Sequence, residues 1–383
     1  MFTVLPSECC SDVISKLPVK LLVLAQTPPP HHGQSIMVES LVNGLPKVAP
    51  EIELHHVNLS LSRQSTDIGR WQPGKLLSAW RSTNTAIRTA RRHDCDALYY
   101  VPAPGKRIAL WRDLLILHRL RPIVPKLILH WHASGLGTWL QKSATPLERK
   151  LAHATLDRAD LSIVLGGALR QDCQIFQPRQ TTIIPNGIAD PFHGRTPPVR
   201  LPRKSTDPIN LLFLGSGSGA KGLFRAVDAL ASTPKSVTLT FAGQFASPID
   251  AERFTAAQNR WGARLIHVGF VSGSAKRNLL AKSDLLIFPS TYANEAFPLV
   301  LLEALAADLP ILTTPWRAIP EMKPPGSKRW AFVSDDGAAL GPTILQLVAE
   351  SAESGLHRQH FLDHYTLPEH LRRISQTLAG VLS

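Results

Sequence analysis

The sequence predicts a parallel α/β protein of two domains, and three observations support this prediction. At 383 residues, the chain is too long for one ordinary hydrophobic core. Apolar, β-rich runs alternate with helical patterns along the chain, as they do in parallel sheets whose strands are joined by helices. A proline-rich, charged stretch without periodicity, PPVRLPRKSTDP (197–208), separates two such series and is typical of a linker.

Each half of the chain contains its own series of predicted strands. The first half holds VKLLVLAQ (19–26), EIELHHVNL, DALYYVPA, PKLILHWHA, DLSIVLG and the short TTIIPNGI. The second half holds INLLFLGSG, SVTLTFAG, RLIHVGF, SDLLIFPS and LPILTT. We therefore predict one domain over residues 1–197 and a second over 208–360. The segment 361–383 ends in a helix, LPEHLRRISQTLAGVL, that we expect to leave the second domain.

The charge is strongly basic and unevenly distributed. The formal net charge is +13, and basic side chains crowd residues 63–92 and 106–126, where they alternate with tryptophans and leucines. Such stretches attract phosphates, nucleic acid or an anionic membrane surface. Two interpretations stay open: basic amphipathic helices that lie on a bilayer, or ordinary docking helices with a solvated basic face. Nucleic acid would explain the charge but not the paired glutamates described below, so we predict no nucleic-acid partner.

The ends of the chain and its cysteines predict a cytoplasmic protein. The N-terminus lacks a basic start followed by an apolar run, and no stretch of about 18 uncharged apolar residues occurs. The four cysteines, Cys9, Cys10, Cys95 and Cys173, have no metal-binding or CxxC spacing and are expected to be free thiols. The basic stretches leave peripheral attachment to the inner face of the membrane open.

Two glutamates form the most informative pattern, in STYANEAFPLVLLEALAADLPILTT (290–314). A predicted strand ends at Ser290, Glu295 lies in the following loop, and a helix is predicted to open near Pro298, with Glu303 just over a turn into it. Carboxylates accept hydrogen bonds from neighbouring hydroxyls, and a helix N-terminus favours phosphate. From spacing alone, a surface acid and a glutamate on a helix face remain the simpler interpretation.

A glycine loop follows the first strand of the second half. Gly215, Gly217 and Ala220 fit the dinucleotide pattern G-x-G-x-x-G/A. The next strand ends in TFAGQF, however, without the acid that would hold an adenosine ribose. Lys221 is followed by Gly222 rather than Ser or Thr, so the loop also fails the P-loop pattern. The sequence therefore favours neither a nicotinamide site nor a P-loop.

Several segments together resemble one known family. In chain order they are PPPHHGQSIMVESL, LHWHASG, TIIPNGI (182–188), LLFLGSGSGAKGL (211–223), HVGFVSG, LLAKSDLLIFPS, the E-x7-E pair Glu295 and Glu303, and PWRAIPEM. They resemble the motifs of the large retaining glycosyltransferase family 4, also called glycosyl transferases group 1, from about residue 20 to residue 350. No single segment is specific, but their order is. The resemblance implies the GT-B fold, in which two Rossmann-like domains face a central cleft.

The resemblance also implies a reaction and a donor site. A hexosyl group would move from a nucleotide-diphosphate sugar to an acceptor hydroxyl with retained configuration. Glu295 would contact the transferred sugar, Glu303 the ribose, and Lys221 the diphosphate as charge develops on it. The family's arginine five residues before the lysine is replaced by Ser216, so the phosphate clamp lacks one charge. The other implied donor contacts are Gly215, Ser216, Gly217, Phe270, Val271, Ala296, Phe297, Pro298 and Leu299.

The N-terminal half would supply the rest of the site. His132, near the end of a predicted strand, is implied to lie close to the donor sugar, and Gly33 and His32 are placed on the acceptor side. His130 and His132 share a strand face, but no acid or cysteine with ligand spacing lies nearby, so we predict no metal and no cofactor besides the donor. A lipid-linked or saccharide acceptor is expected, and the last helix would return to the N-terminal domain. The alternatives are a sugar-nucleotide epimerase and a non-catalytic nucleotide-sugar-binding protein.

Overall fold

The structure is a computed structural model that describes residues 18–59, 73–199, 204, 206–333, 340–350 and 354–382, with only the backbone at 73–76. Some sequence predictions lie outside these residues: the pair Cys9 and Cys10, the basic side chains of Arg63, Arg70 and Lys75, and most of the linker between 200 and 205. Cys95 and Cys173 are described, and both are buried free thiols.

The first sheet has six parallel strands in the order β2-β1-β3-β4-β5-β6. Its central strands are mostly apolar and almost entirely buried because helices cover both faces. The strands are β1 (Val19–Ala25), β2 (Ile52–Asn58), β3 (Ala97–Tyr100), β4 (Lys126–Trp131), β5 (Leu161–Val164) and β6 (Thr181–Ile183). The helices are α1 (Gly33–Val48), α2 (Pro73–His93), α3 (Arg107–Leu120), α4 (Leu136–Ser143), α5 (Pro146–Leu156) and α6 (Arg170–Gln174).

The second sheet also has six parallel strands, in the order β12-β11-β10-β7-β8-β9. The strands are β7 (Ile209–Leu214), β8 (Val237–Ala242), β9 (Leu265–His267), β10 (Leu285–Phe288), β11 (Ile311–Thr313) and β12 (Trp330–Phe332). The helices are α7 (Leu223–Asp228), α8 (Pro248–Trp261), α9 (Gly273–Lys282), α10 (Leu299–Ala306), α11 (Gly341–Ala349) and α12 (Leu356–His364). The prediction of parallel α/β architecture is confirmed. The short outer strand β12 was not predicted.

The order of the second sheet fixes where a ligand would bind. Counted within the domain it is 3-2-1-4-5-6, the doubly wound order of Rossmann folds. The connections reverse direction between β7 and β10, and doubly wound sheets bind ligands in the crevice at the carboxyl ends of the strands at such a point. The E-x7-E segment follows β10 and the glycine loop follows β7. The topology therefore brings together the two segments that the sequence singled out.

The last helix, α13 (Leu367–Leu382), packs on the first domain. Its side chains Leu371, Ile374 and Leu378 are buried in the same apolar cluster as the α1 residue Leu45. A Cβ atom at Gly44 of α1 would lie only 2.4 Å from Leu371 Cδ1, so a side chain there would force the two helices apart. The preceding helix α12 packs instead against α10 of the second domain, so the chain crosses between domains between α12 and α13.

Helices α2 and α3 contain the described part of the two basic stretches, and they pack against each other. Helix α3 buries one apolar face, whereas its Trp111 remains 42% exposed, as Trp80 of α2 remains 45% exposed. The guanidinium of Arg119 lies 4.1 Å from the ring centroid of Trp80. The helices therefore dock on the domain and leave two tryptophans partly exposed, one beneath Arg119 and the other donating to Glu148 of α5. None of the helices in the described residues combines the length and apolar character that crossing a bilayer requires.

Candidate active site

The loop after β7 is packed against the end of β10. The backbone N–H of Thr291 donates to the carbonyl oxygen of Ala220 at 2.9 Å. Gly222 has φ of 87°, and a Cβ atom there would lie 2.3 Å from the carbonyl oxygen of Pro289. Glycine is required at this position because the close approach leaves no room for a Cβ atom, and the left-handed backbone also disfavours a side chain. This packing holds Lys221 beside the loop that carries Glu295.

Lys221 and Glu295 form a partly buried ion pair. Lys221 Nζ lies 2.7 Å from Glu295 Oε2, and the side chains are 22% and 7% exposed. The hydroxyl of Ser290 donates to the same carboxylate oxygen at 2.9 Å. The ring of Tyr292 lies 4.8 Å from the ammonium, which it faces as a cation–π partner. The carboxylate and the ammonium are thus fixed together at the mouth of the crevice.

Glu303 has a cationic partner that the sequence did not reveal. Lys276 Nζ, from α9, lies 2.5 Å from Glu303 Oε1. Burial raises the pKa of the Glu303 carboxyl, and the nearby ammonium of Lys276 opposes that rise. Lys276 was missed because KRNLLAK contains several basic residues at helical spacing, and nothing local distinguishes the one that points at another helix.

Gly215 and Gly217 contribute to the packing of the loops around them. The N–H of Gly215 donates to Ala242 O at 3.0 Å, and that of Gly217 to Gln244 O at 2.8 Å. A Cβ atom at Gly217 would lie 2.6 Å from the ring of Phe241. The glycines therefore allow the loops after β7 and β8 to pack closely, whatever ligand they also contact. Ser216 is exposed between them.

The remaining predicted donor contacts line the same edge of the second sheet. Phe270 and Val271 follow β9, and the Phe270 ring is 58% exposed, 6.3 Å from the ring of His31 in the first domain. Ala296 and Phe297 are buried at the entry to α10. The predicted helix opening near Pro298 differs slightly from the structure, where Pro298 is the extended cap residue and Leu299 begins the helix.

Gly33 lies opposite the start of α10. A Cβ atom there would lie 3.7 Å from the side chain of Leu299, so the first turn of α1 and that of α10 meet across the cleft. His32 caps α1, and its Nδ1 accepts a hydrogen bond from the N–H of Ser35 at 3.3 Å. Burial, together with the neighbouring His31, lowers the pKa of His32. A capping imidazole that accepts through Nδ1 carries its proton on Nε2 when neutral.

His132 belongs to a buried group of histidines. Its ring centroid lies 4.0 Å from that of His130, whose Nδ1 is hydrogen-bonded to the hydroxyl of Tyr99. Burial lowers the pKa of His132 to about 3, and the nearby imidazole of His370 contributes. His370 comes from α13, and its Nδ1 bonds the carbonyl oxygen of Pro185 at 2.7 Å. His132 is therefore neutral at physiological pH, and the C-terminal helix helps to build its surroundings.

Side chains of the first domain hydrogen-bond the Glu295 loop directly. The hydroxyl of Ser134, in the loop after β4, donates to Glu295 O at 2.7 Å, and Asn294 Nδ2 returns a bond to Ser134 O at 2.9 Å. Asn186 Nδ2 donates to Phe297 O at 3.1 Å. The buried side chain of Asn186 therefore joins the two domains. The carboxyl edges of the two sheets therefore face each other.

The carboxylate of Glu321, in the second domain, also hydrogen-bonds the first domain. Glu321 Oε2 accepts from the N–H of Gly167 at 2.7 Å, and Oε1 accepts from the N–H of Ala168 at 2.8 Å. A Cβ atom at Gly166 would lie 2.6 Å from the Cβ of Ala318. The motif PWRAIPEM, which contains Glu321, thus binds the first domain in the conformation described.

Known proteins resemble this chain in two ways. Residues 200–360 match the family model of the glycosyl transferases group 1. Over the whole chain, the structure resembles the sucrose-phosphate synthase of Thermosynechococcus elongatus, with a TM-score of 0.71 at 16% identity, covering 94% of this chain and 99% of that one. It also resembles HepE of Anabaena, solved in complex with UDP, with a TM-score of 0.66 at 17% identity over 94% and 100% of the two chains. The fold is GT-B. The fold that the sequence motifs implied is confirmed.

One curated relative is more similar in sequence over a shorter stretch. The lipopolysaccharide glucosyltransferase WaaG of Escherichia coli is 42% identical over 108 residues, which are 27% of this chain and 27% of that protein. The chain thus matches about a quarter of the length of this relative. The family-model match falls mainly on the second domain, and the GT-B likeness extends over both domains.

Proposed function

We propose that the protein is a retaining glycosyltransferase that transfers a hexosyl group from a nucleotide-diphosphate sugar to an acceptor hydroxyl. The observation that carries the proposal is the contact between Lys221 and Glu295 at the point where the second sheet reverses direction. This is where doubly wound sheets bind ligands. The solved complex of HepE with UDP adds support from the same fold, although its sequence identity is only 17%.

The donor diphosphate is proposed to lie between Lys221 and the first turn of α10. In the structure Lys221 is paired with Glu295, so a bound diphosphate would compete for its ammonium. The negative charge that grows as the sugar–phosphate bond breaks would be stabilised by this cation and by the helix N–H groups. Because these groups supply positive charge, we propose that transfer needs no metal and no cofactor beyond the donor.

The sugar and the ribose would be held by the two glutamates. In the proposed site Glu295 contacts hydroxyls of the transferred sugar. The neutral imidazole of His132 faces this sugar from the first domain. Glu303, held by Lys276, accepts from the ribose hydroxyls. No side chain in this arrangement has to form a covalent bond to the sugar. The proposed reaction is therefore a front-face transfer in which the departing phosphate takes the acceptor proton.

The acceptor is proposed to be a lipid-linked or free saccharide, as in polysaccharide or glycolipid synthesis. The support is the partly exposed Trp80 of α2 and Trp111 of α3, together with the many arginines of these two helices. Tryptophan and basic side chains together favour the interface of an anionic bilayer. We propose that this face rests on the inner side of the membrane in the cytoplasm and presents the cleft to a membrane-borne acceptor.

The proposal is tested first by ligand binding and then by turnover. A thermal-shift panel of nucleoside diphosphates and nucleotide sugars should identify a base and a sugar that raise the melting temperature. With that donor, release of nucleoside diphosphate should depend on added acceptor, and the anomeric coupling of the product in NMR should match the donor. Interconversion of donor sugars without acceptor would identify an epimerase instead. Donor binding without turnover under any acceptor would indicate a non-catalytic binding protein.

A further inference from the structure

A second cluster of ligand atoms lies at the outer edge of the first sheet, away from the cleft. Glu53 and His55 are two residues apart on the edge strand β2, so their side chains share one face. His93, the last residue of α2, lies beside them, with its ring centroid 4.0 Å from that of His55. One ligand atom from each of the three residues lies within 4.8 Å of the others.

The Nε2 atom of the His55 imidazole lacks a well-formed hydrogen bond. Its side chain is 15% exposed, and Nε2 lies 2.9 Å from Glu53 Oε1. Yet within the described part of the chain this buried nitrogen makes no hydrogen bond of acceptable geometry. Neutral imidazole binds metals through a ring nitrogen that carries no proton.

We propose that Glu53, His55 and His93 bind one transition-metal dication of the Zn²⁺ type. Two imidazoles and one carboxylate are a common zinc ligand set, and water would complete a tetrahedron. Magnesium and calcium prefer oxygen ligands throughout. Ligand atoms of tetrahedral zinc lie about 3.3 Å apart, so small side-chain rotations would close the site from its present spacing. The metal would also face the carbonyl end of α2, where the helix dipole favours positive charge.

The expected role of this metal is structural. Among the described residues, β2 is the outer strand of its sheet and pairs with β1 alone. A metal held by β2 and by the last residue of α2 would fasten the sheet edge to this basic helix. Because the cluster lies outside the donor cleft, the inference is independent of the proposed transferase activity.

The test is metal binding by tag-free, full-length protein that has been stripped with a chelator and desalted. Calorimetry with ZnCl₂ at pH 7.5 should give one saturable site per chain, whereas MgCl₂ and CaCl₂ should give none. His93→Ala and Glu53→Gln, both at partly exposed positions, should weaken Zn²⁺ binding at least about tenfold, or abolish it. Circular dichroism would establish that both variants are folded.

The matched control is His153→Ala. His153 Nδ1 lies 2.9 Å from Asp157 Oδ1, a comparable histidine–carboxylate pair on α5, and this variant should bind Zn²⁺ like the unaltered protein. The proposal is overturned if no saturable Zn²⁺ site exists, if the folded His93→Ala and Glu53→Gln variants bind Zn²⁺ with unchanged affinity, or if His153→Ala weakens binding as much as they do.

Discussion

The ammonium of Lys221 and the carboxylate of Glu295 lie 2.7 Å apart, although 74 positions separate them in the chain. One residue follows β7 and the other follows β10, the two neighbouring strands whose connections run in opposite directions. Neither residue depends on a local motif for its position. Their approach follows from the strand order together with the glycine at 222, which lets the two loops touch.

Replacing Glu295 should slow catalysis without weakening the binding of nucleoside diphosphate. Glu295→Gln keeps the size of the side chain but removes the charge that orients Lys221, and the proposed contact with the sugar weakens. We expect kcat to fall by about 10²–10³-fold, while nucleoside diphosphate binds at least as tightly, because it no longer competes with the Glu295 carboxylate for Lys221. Steady-state kinetics and calorimetry measure the two effects. Glu252→Gln, an exposed position on α8, is the control. Full turnover by the Glu295 variant would remove this residue from the mechanism.

Lys276→Met tests the ribose end of the site. Without the ammonium, burial alone would act on the Glu303 carboxyl, and its pKa would rise further. A protonated carboxyl accepts fewer hydrogen bonds from ribose, so donor affinity should fall, with the loss greatest at low pH. We expect about a tenfold weaker Kd at pH 6.5 and partial recovery at pH 8.5.

The control for Lys276 is Lys282→Met, an exposed lysine on the same helix. Donor affinity would be measured across the pH range by calorimetry. A pH-independent loss in the Lys276 variant, or an equal loss in the Lys282 variant, would mean that Lys276 does not act through the Glu303 carboxyl.

The sequence predicts the architecture better than it predicts the partners of the site residues. Eleven of the strands could be located because buried parallel strands are apolar runs between turns. Lys221, Glu295 and Glu303 were found because their motifs follow strands in a recognisable order. Lys276, Ser134 and Glu321 were missed. Each acts through a contact more than 20 residues away, and a single sequence carries no signal for such pairing.

Ser216→Arg would add the cation that the motif resembled by this loop implies at position 216. Ser216 is exposed beside Gly217, and an arginine there can extend over the loop toward a bound diphosphate. We expect nucleoside diphosphate to bind about three- to tenfold more tightly, while the nucleoside alone is unaffected. Thr255→Arg, on the exposed face of α8, controls for added net charge. Equal gains for nucleoside and diphosphate, or no gain, would show that position 216 does not reach the phosphates.

The buried histidines predict acid sensitivity of the fold. In the folded state, burial lowers the pKa of His132 to about 3 and that of His370 to about 4. Unfolded, each would protonate near pH 6.5. Below about pH 6.5 the unfolded chain therefore binds more protons than the folded chain. The free energy of unfolding should be highest above this pH and should fall toward pH 4, by about 1.4 kcal/mol per pH unit for each histidine.

A variant isolates one of these histidines. His370→Gln should lower stability at pH 8, because packing around the imidazole is lost, but should also reduce the slope of stability against pH between 6.5 and 4. Denaturant titrations at several pH values give that slope. His193→Gln, at an exposed histidine, should leave it unchanged. If His370→Gln has the slope of the unaltered protein, this imidazole does not take up a proton on unfolding.

Glu321 should control how readily the two domains separate. Its carboxylate accepts two backbone N–H bonds from the first domain, and such charge-assisted bonds are stronger than neutral ones. Glu321→Gln retains the shape but loses the charge, and Gly166→Ala would push Ala318 away from the facing loop. Both variants should increase the radius of gyration in solution scattering and lower kcat/KM about five- to tenfold. A bound nucleotide sugar should restore the compact state, because ligand contacts made by both domains favour closure. Scattering curves identical to that of the unaltered protein for both variants would mean that other contacts, such as Ser134 with the Glu295 loop, suffice to hold the cleft closed.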